Sequence, residues 1–501
     1  MDLSLFAENI TLIWHLVLLS GWAIILLVVD LFIPKDRKGL TAMLAALGLV
    51  VTLVVALSQA GQDVTAFNGM IILDGFSTFM TVLLLVSGLA GIALSYDYLK
   101  RMGIERGEYY VLLLFSIDGM VLMSQAGDLI IVFLALELLS LPLYVLSGLA
   151  RPRPESEEAA LKYFLLGAFS TGFVVYGIAM VFGATSTTSL AGIVASINAA
   201  AANLGLLVVG AALLLIGLGF KVAAVPFHMW TPDVYQGAPS SVTGFMAVGA
   251  KVGGFAALLR VFVLAFPTLA ADLEPILWAI AALTMILGNL VAIAQPNIKR
   301  MLAYSSIAHA GYILMALVPY GRAGLTQDAV ASALFYLVAY SLTSFTAWAV
   351  VIALEAACVL PDKVAMTDPL QERLNRGLLL NDYAGLGRKH PALAASMAIA
   401  MFSFTGVPPT LGFVGKFFLF RTVLEGGFVG LALIGVITSL ISAYYYLRLV
   451  VIMYMRDGEP QVRREGWLYA TALGSAAATV VLAIFAAPLF QWASQALLQL
   501  L

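Results

Sequence analysis

Residues 213–227 read LLLIGLGFKVAAVPF and place a lysine and a proline inside one of the most apolar segments of the chain. Proline removes a backbone donor and clashes with the preceding turn, so Lys221 and Pro226 predict a membrane helix that is interrupted beside a charge. Residues 402–416 read FSFTGVPPTLGFVGK and repeat this arrangement, with Lys416 after the break. The two segments predict a helical membrane protein with two broken helices.

The composition supports this class. Of the 501 residues, 62% are hydrophobic and only 11% are charged, which is too few to cover the surface of a protein exposed to water. The net charge of -2 gives no sign of a nucleic-acid partner, and the single cysteine, Cys358, excludes disulfides, Fe–S clusters and cysteine-based zinc sites within the chain. The N-terminus has no basic region or cleavage site of a signal peptide and predicts a retained first span.

About fourteen apolar stretches are long enough to cross ~30 Å of hydrocarbon as helices. The runs are continuous rather than alternating, so strands are not expected in lipid. We predict one all-α polytopic membrane domain over residues 1–501, with a polar surface segment, partly amphipathic helix, at residues 360–389. The approximate limits of the spans are 9–33, 39–59, 74–97, 109–125, 127–149, 158–184, 204–235, 239–266, 273–295, 298–320, 326–357, 390–421, 425–453 and 466–498.

The two broken spans are the seventh and the twelfth, so they cross the membrane in opposite directions. Interrupted spans at matching places in two halves are typical of inverted-repeat transporters. We therefore predict two inverted five-helix repeats, spans four to eight (residues 109–266) and nine to thirteen (residues 273–453). Residues 1–97 and 466–498 would be flanking helices.

The basic residues predict the orientation. Twenty of the 26 lysines and arginines fall in loops after odd-numbered spans, whereas loops after even-numbered spans hold Arg260, Arg322 and Arg421. By the positive-inside rule the odd loops face the cytoplasm and both termini lie outside. Two acids near helix ends, Asp30 and Glu355, are expected to be solvated.

Four charged residues remain inside apolar segments: Glu137, Lys221, Lys251 and Lys416. Each costs roughly 2.5–3.5 kcal/mol at a helix centre, which favours a functional reason for keeping it. Burial disfavours the charged form of an amine and a nearby carboxylate favours it, so moving one group relative to the other moves a proton. We predict a proton relay along the membrane plane. The alternatives are a neutral hydrogen-bonded Glu137 and a Lys416 side chain that extends to the outer surface.

Three further groups join this prediction. His228 lies seven residues after Lys221, on the same side if the helix persists, and either holds the broken helix or handles protons. His309, at the centre of span ten, either joins the relay or bonds a neighbouring carbonyl. Asp118 is a mid-membrane acid that would be a second partner for the relay.

Four long motifs resemble the antiporter-like, proton-conducting membrane subunits of respiratory complex I, and the match runs over nearly the whole chain. Within this family, the sequences FHMWTPDVYQGAP and GVPPTLGFVGKF are similar to those of the subunit N branch. The motifs span residues 127–148, 158–180, 217–248 and 402–420.

The resemblance implies a role for each intramembrane charge. Glu137 would be the carboxylate of the fifth helix and Lys221 its partner on the broken seventh helix. Lys251 would be the central lysine of the eighth helix, and Lys416 the terminal relay lysine on the broken twelfth.

Two other residues, His228 and Lys162, also fall in family motifs, with Lys162 near the cytoplasmic end of span six. Asp118 departs from the family pattern, which has a small or apolar residue there, so its role is a local substitute partner or a silent protonated acid.

The resemblance also implies that the chain does no redox chemistry, because FMN, Fe–S clusters and quinone would be bound by sibling subunits. The chain would lie in a bacterial inner membrane, between subunit M and the small membrane subunits near the quinone arm. It would couple electron transfer from NADH to quinone to proton movement out of the cytoplasm. The alternatives are a subunit of a multisubunit Na⁺/H⁺ antiporter or membrane-bound hydrogenase, and a non-transporting scaffold whose buried charges only hold helices together.

Overall fold

The computed structural model describes residues 9–151, 153–356, 376–496 and 498, and these are almost entirely helical. The helices before the first break are α1 Trp14–Asp30, α2 Gly39–Ser58, α3 Gly75–Arg101, α4 Glu108–Ser124, α5 Leu129–Ser147, α6 Pro154–Thr185, α7 Leu190–Asn198 and α8 Leu204–Val222. Those after it are α9 Trp230–Gly237, α10 Ser240–Ala265, α11 Ala270–Ile293, α12 Ile298–Leu317, α13 Thr326–Leu354, α14 Leu386–Lys389, α15 Pro391–Thr405, α16 Leu411–Glu425, α17 Val429–Met455, α18 Gly466–Ile484 and α19 Ala486–Gln495.

Each predicted span is occupied by one helix or by a pair of helices, so the all-α, multi-pass prediction is confirmed. Among the described residues, ten helices are long and apolar enough to cross a membrane. The other predicted spans correspond to α1 and α4, which have 17 residues each, to α12, which is more polar, and to the α15–α16 pair. Every residue of α10 is buried, which places this helix at the centre of the bundle.

Both predicted helix breaks are present. Helix α8 ends because Ala223 adopts a left-handed conformation (φ 62°), three residues before Pro226, where the sequence predicted the interruption. Helix α15 ends at Thr405, the next residue, Gly406, is also left-handed (φ 88°), and α16 starts at Leu411. The last carbonyl groups of a helix have no partner further along the same helix, so each break leaves carbonyls that other groups can use.

Small residues allow neighbouring helices to approach closely at matching places in the two predicted repeats. A Cβ at Gly119 of α4 would lie 2.4 Å from the backbone nitrogen of Leu139 in α5. A Cβ at Gly288 of α11 would lie 2.6 Å from the backbone nitrogen of Ala308 in α12. Such close contacts are typical of helix packing in membranes. The inverted-repeat relationship itself stays a prediction.

One short hairpin was not predicted: β1 Val64–Ala66 pairs antiparallel with β2 Ile71–Leu73 between α2 and α3. The predicted surface segment 360–389 is described only from residue 376, where it forms turns, the 3-10 helix Leu380–Tyr383 and α14. Cys358 and the end of the predicted span 326–357 lie outside the described residues.

Candidate functional site

Glu137 lies in the middle of α5 and is partly buried against α6. The hydroxyl of Thr171 in α6 donates a hydrogen bond of 2.7 Å to Glu137 Oε1. Asp128 fixes the start of α5, because its side chain accepts a hydrogen bond from the backbone N–H of Ile130. The carboxylate therefore has a defined neighbour at mid-membrane, and that neighbour is a hydroxyl.

Lys221, on the last turn of α8, is buried and donates to two hydroxyls, Ser140 Oγ at 2.8 Å and Tyr163 OH at 3.2 Å. Ser140 follows Glu137 by three residues on α5, so both lie on one helix face. Glu137 acts electrostatically on Lys221, yet the ammonium group contacts Ser140 rather than the carboxylate. The structure thus places the predicted pair within electrostatic range, but Lys221 is hydrogen-bonded to Ser140 and Glu137 to Thr171.

The side chain of Lys221 packs against α10 at Gly254, one helical turn after Lys251. A Cβ at Gly254 of α10 would lie 3.3 Å from Lys221 Cγ, so the stem of this lysine packs against the turn that follows Lys251. Lys251 Nζ donates to the backbone carbonyl of Ser306 in α12 and lies 5.4 Å from the centre of the Tyr340 ring. Helix α10 therefore joins the two lysines.

His309 follows Ser306 by one turn of α12 and is fully enclosed. Its Nδ1 is hydrogen-bonded to the hydroxyl of Tyr336 at 2.7 Å, and its Nε2 to the hydroxyl of Tyr446 at 3.1 Å. Both Lys251 and Lys416 act electrostatically on the ring. The alternative of a bond to a neighbouring carbonyl is wrong, because both ring nitrogens contact tyrosines.

Lys416 uses the free carbonyls at the end of α15. Its Nζ donates to Phe404 O at 2.9 Å, to Thr405 O at 3.0 Å and to Ser439 Oγ at 2.7 Å, and lies 4.6 Å from the centre of the Tyr312 ring. A helix C-terminus favours a cation because its carbonyl dipoles point outward. The side chain is 4% exposed, so the alternative of extension to the outer surface is wrong.

His228 does not share a helix with Lys221, because α8 ends at Val222 and α9 starts at Trp230. The condition for a shared helix face, that the helix continues past Lys221, is therefore not met. His228 is partly buried in the connection between the two helices. Trp230, the first residue of α9, stacks on the ring of Tyr163 with 4.5 Å between the ring centres. The hydroxyl of the same tyrosine contacts Lys221, so the residues after the break pack beside this contact.

Lys162 belongs to a surface ion cluster rather than to the buried line. It pairs with Glu158 and Asp233 at 2.7 Å each, and Arg300 also donates to Asp233 at 2.7 Å. Burial raises the pKa of Asp233, but hydrogen bonds from Lys162 and Arg300 outweigh burial and hold this pKa below its ordinary value.

Asp118 lies away from the buried lysines. Its Oδ2 is 2.5 Å from Ser20 Oγ on α1, and the carboxyl is 3% exposed. The structure therefore does not bring Asp118 to the relay, and the suggested partnership with the line is not supported by its contacts.

Sequence analysis predicted exposed positions for three charged residues that the structure buries. Arg260 was expected in a loop, but it is 0% exposed on α10 and forms a bidentate pair with Asp74, at 2.5 and 2.9 Å. Asp30 and Glu355 were expected to be solvated but are 5% and 2% exposed. The apolar run ALLRVFVLAF around Arg260 was the only local signal of burial for these residues.

The family model described as NADH:quinone oxidoreductase/Mrp antiporter, TM, matches residues 126–442. The chain is 45% identical to NADH-quinone oxidoreductase subunit N of Chloroflexus aggregans over 98% of each protein, and 42% identical to that of Trichlorobacter lovleyi over 97% of each. A chain in the structure of respiratory complex I from Thermus thermophilus with bound aureothin is 35% identical, with a TM-score of 0.79 over 96% of this chain and 99% of that one.

A chain of the Mrp complex from Dietzia sp. is 20% identical with a TM-score of 0.83 over 99% of this chain and 97% of that one, which shows the shared fold. The higher identities and full-length coverage place the sequence in a narrower group. The chain therefore belongs to the NADH:quinone oxidoreductase/Mrp antiporter membrane family, within the subunit N branch.

Proposed function

We propose that this chain is a proton-translocating membrane subunit of NADH–quinone oxidoreductase, respiratory complex I. It would couple electron transfer from NADH to quinone to proton movement out of the cytoplasm. The relatives of the subunit N branch support membership in the complex, and the buried charges support the proton-moving role.

The observation that carries the proposal is the chain of contacts among the buried cations. Lys221 packs one turn from Lys251, Lys251 bonds Ser306, and Ser306 lies one turn before His309. The ring of His309 is coupled electrostatically to Lys251 and to Lys416. A scaffold needs no such succession of titratable groups through the interior.

The mechanism starts at the separated pair. When Glu137 approaches Lys221, the carboxylate stabilises the ammonium form, and when it withdraws the lysine releases a proton toward Lys251. In the present structure Lys221 contacts Ser140 and Tyr163, which is the separated arrangement. A charge crossing 100 mV is worth ~2.3 kcal/mol, comparable to a pKa change of one to two units, so modest movement of the pair suffices.

The wider arrangement follows from the same proposal. The two left-handed helix ends and the matching glycine contacts support inverted repeats over residues 109–266 and 273–453. The chain would lie in a bacterial inner membrane, and the loop charges support an orientation with both termini outside. Subunit M and the small membrane subunits near the quinone arm would be neighbours, and FMN, Fe–S clusters and quinone would bind in partner subunits.

The test uses the complete complex in inverted membrane vesicles, with Glu137→Gln or Lys221→Ala in this chain. We expect proton uptake and coupled NADH oxidation to fall by at least about tenfold while the complex still assembles, because proton exchange between the pair is lost. Lys389→Ala, which changes an exposed lysine paired with Glu459, is the control. Unchanged proton uptake in either relay variant would favour the scaffold.

A further inference from the structure

A second group of buried polar residues lies outside the line of Glu137 and the lysines. It sits where α3, α10, α12 and α13 meet, at the end of the bundle that the basic loops predict to be cytoplasmic. We name it the Glu355 cluster. Its members are Tyr98, Arg153, Ser240, Lys299, Glu355 and Tyr383.

Glu355 directly follows the last residue of α13 and is 2% exposed. The hydroxyl of Tyr98 donates to its Oε1 at 3.3 Å, and the guanidinium of Arg153 lies 4.0 Å from the same oxygen. Tyr98 in turn accepts a hydrogen bond of 3.1 Å from the backbone N–H of Ser240. One carboxylate oxygen is thus bonded within a network that reaches the start of α10.

The second carboxylate oxygen of Glu355, Oε2, lies outside this network. Among the described residues, Glu355 Oε2, Ser240 Oγ and Tyr383 OH are buried and have no hydrogen-bond partner. Buried polar atoms are nearly always paired, and those without a protein partner are the usual ligands of ordered water. An unpaired carboxylate oxygen with two unpaired hydroxyls in the same cluster points to a hydrated pocket rather than a closed ion pair.

The charge around Glu355 is mixed. Lys299 is 2% exposed, donates to Ala238 O at 2.6 Å and is coupled electrostatically to Glu355. Burial raises the pKa of Tyr383 well above its ordinary value, and the nearby carboxylates add to this, so its hydroxyl stays protonated. The charged and titratable groups that surround Glu355 are Tyr98, Arg101, Arg153, Lys299, Arg376, Asp382, Tyr383 and Glu465.

Two helices lead from this cluster to Lys251. Helix α12 carries Lys299 and, seven residues later on the same face, Ser306, which is ~10 Å further along the axis. Helix α10 carries Ser240 and, three turns later, Lys251. The hydroxyl of Tyr235 lies beside Ser306, to which Tyr340 also donates at 2.8 Å. Hydroxyl groups therefore flank the carbonyl that binds Lys251.

We propose that the Glu355 cluster is the site at which the chain takes up protons from the cytoplasm and passes them to Lys251. Glu355 accepts a proton from solvent and becomes a carboxylic acid. The proton then leaves for the neutral amine of Lys251, which becomes an ammonium, and the carboxylate is restored. Only O–H and N–H bonds form and break. This inference rests on the function proposed above.

The test replaces Glu355 with Gln in the complete complex and measures proton uptake in inverted vesicles between about pH 6 and about pH 9. Gln keeps the side-chain volume and an acceptor for Tyr98, but it cannot carry a proton. We expect a loss of about tenfold that grows toward alkaline pH, because solvent then supplies fewer protons and no carboxylate collects them. Glu459→Gln, at an exposed acid, is the control.

Glu355→Asp separates proton transfer from folding, since it keeps a titratable group on a shorter stem. We expect Asp to restore most of the uptake, with an altered pH profile. A wild-type pH profile of proton uptake in Glu355→Gln would overturn the proposal. If Glu355→Gln does not assemble, a wild-type pH profile in Glu355→Asp would overturn it instead. If Lys221→Ala abolishes uptake while Glu355→Gln does not, only the uptake site fails; normal uptake in Lys221→Ala would reject the relay itself.

Discussion

At the residue scale, hydroxyl groups contact Lys221 and Lys416. Lys221 contacts Ser140 and Tyr163, and Lys416 contacts Ser439 together with two backbone carbonyls. Hydroxyls can both donate and accept, so they hold an amine in either protonation state, whereas a carboxylate in direct contact would favour the ammonium alone. In the proposed relay, these contacts would keep Lys221 able to exchange a proton.

Replacement of Ser140 with Ala tests this role. A hydrogen bond to a charged group is worth about 1.5–3 kcal/mol, so we expect proton uptake to fall by about tenfold while the complex still assembles. Ser147→Ala is a matched control, because both serines lie on α5 and donate to the carbonyl four residues earlier, but only Ser140 contacts Lys221. Equal effects of the two substitutions would show that Ser140 acts only within its helix.

The charged residues of the site could be predicted from the sequence because a charge inside an apolar run is visible locally. Their partners could not. Tyr336 and Tyr446 reach His309 from helices far away in the chain, and Asp74 reaches Arg260 across 186 positions. Periodicity and composition carry no information about which distant helices meet, so Ser140, Ser306 and the Glu355 cluster were missed.

At the element scale, each helix break begins with a left-handed residue that lies near a lysine. Sequence analysis located both breaks, since proline and glycine interrupt helices for local reasons. It placed the first break three residues too far along the chain, because the left-handed residue is Ala223 and not Pro226. A left-handed alanine has no sequence signature, whereas Gly406 is the residue that this conformation favours.

Substitution of Gly406 by Ala tests the second break. A left-handed alanine costs about 1–2 kcal/mol, and the new Cβ would lie 3.0 Å from Lys416 Cδ. We expect reduced proton uptake because the lysine must shift away from the carbonyls of α15. Gly427→Ala is the control: φ at Gly427 is 86°, and its Cβ would meet no atom within 4 Å. Equal proton uptake in the two variants would mean that the effect comes from backbone strain and not from a displaced Lys416.

At the scale of the whole molecule, α10 and α12 join the two predicted halves. Lys251 lies on the fully buried α10 and bonds α12 in the other half, so the line of cations continues from one predicted repeat into the next. The order of the predicted membrane spans followed from hydrophobic run lengths, whereas the short helix α7 and the central position of α10 did not, because the composition of α10 resembles that of its neighbours.

The substitution Lys251→Met tests the relay most directly, since Met keeps a long unbranched side chain without a proton to exchange. The measurement is the initial rate of proton uptake per amount of assembled complex, with Lys389→Met at an exposed position as the control. We predict that Lys251→Met lowers this rate by at least about tenfold and that Lys389→Met leaves it unchanged. A normal rate in Lys251→Met would contradict proton passage through the centre of the molecule.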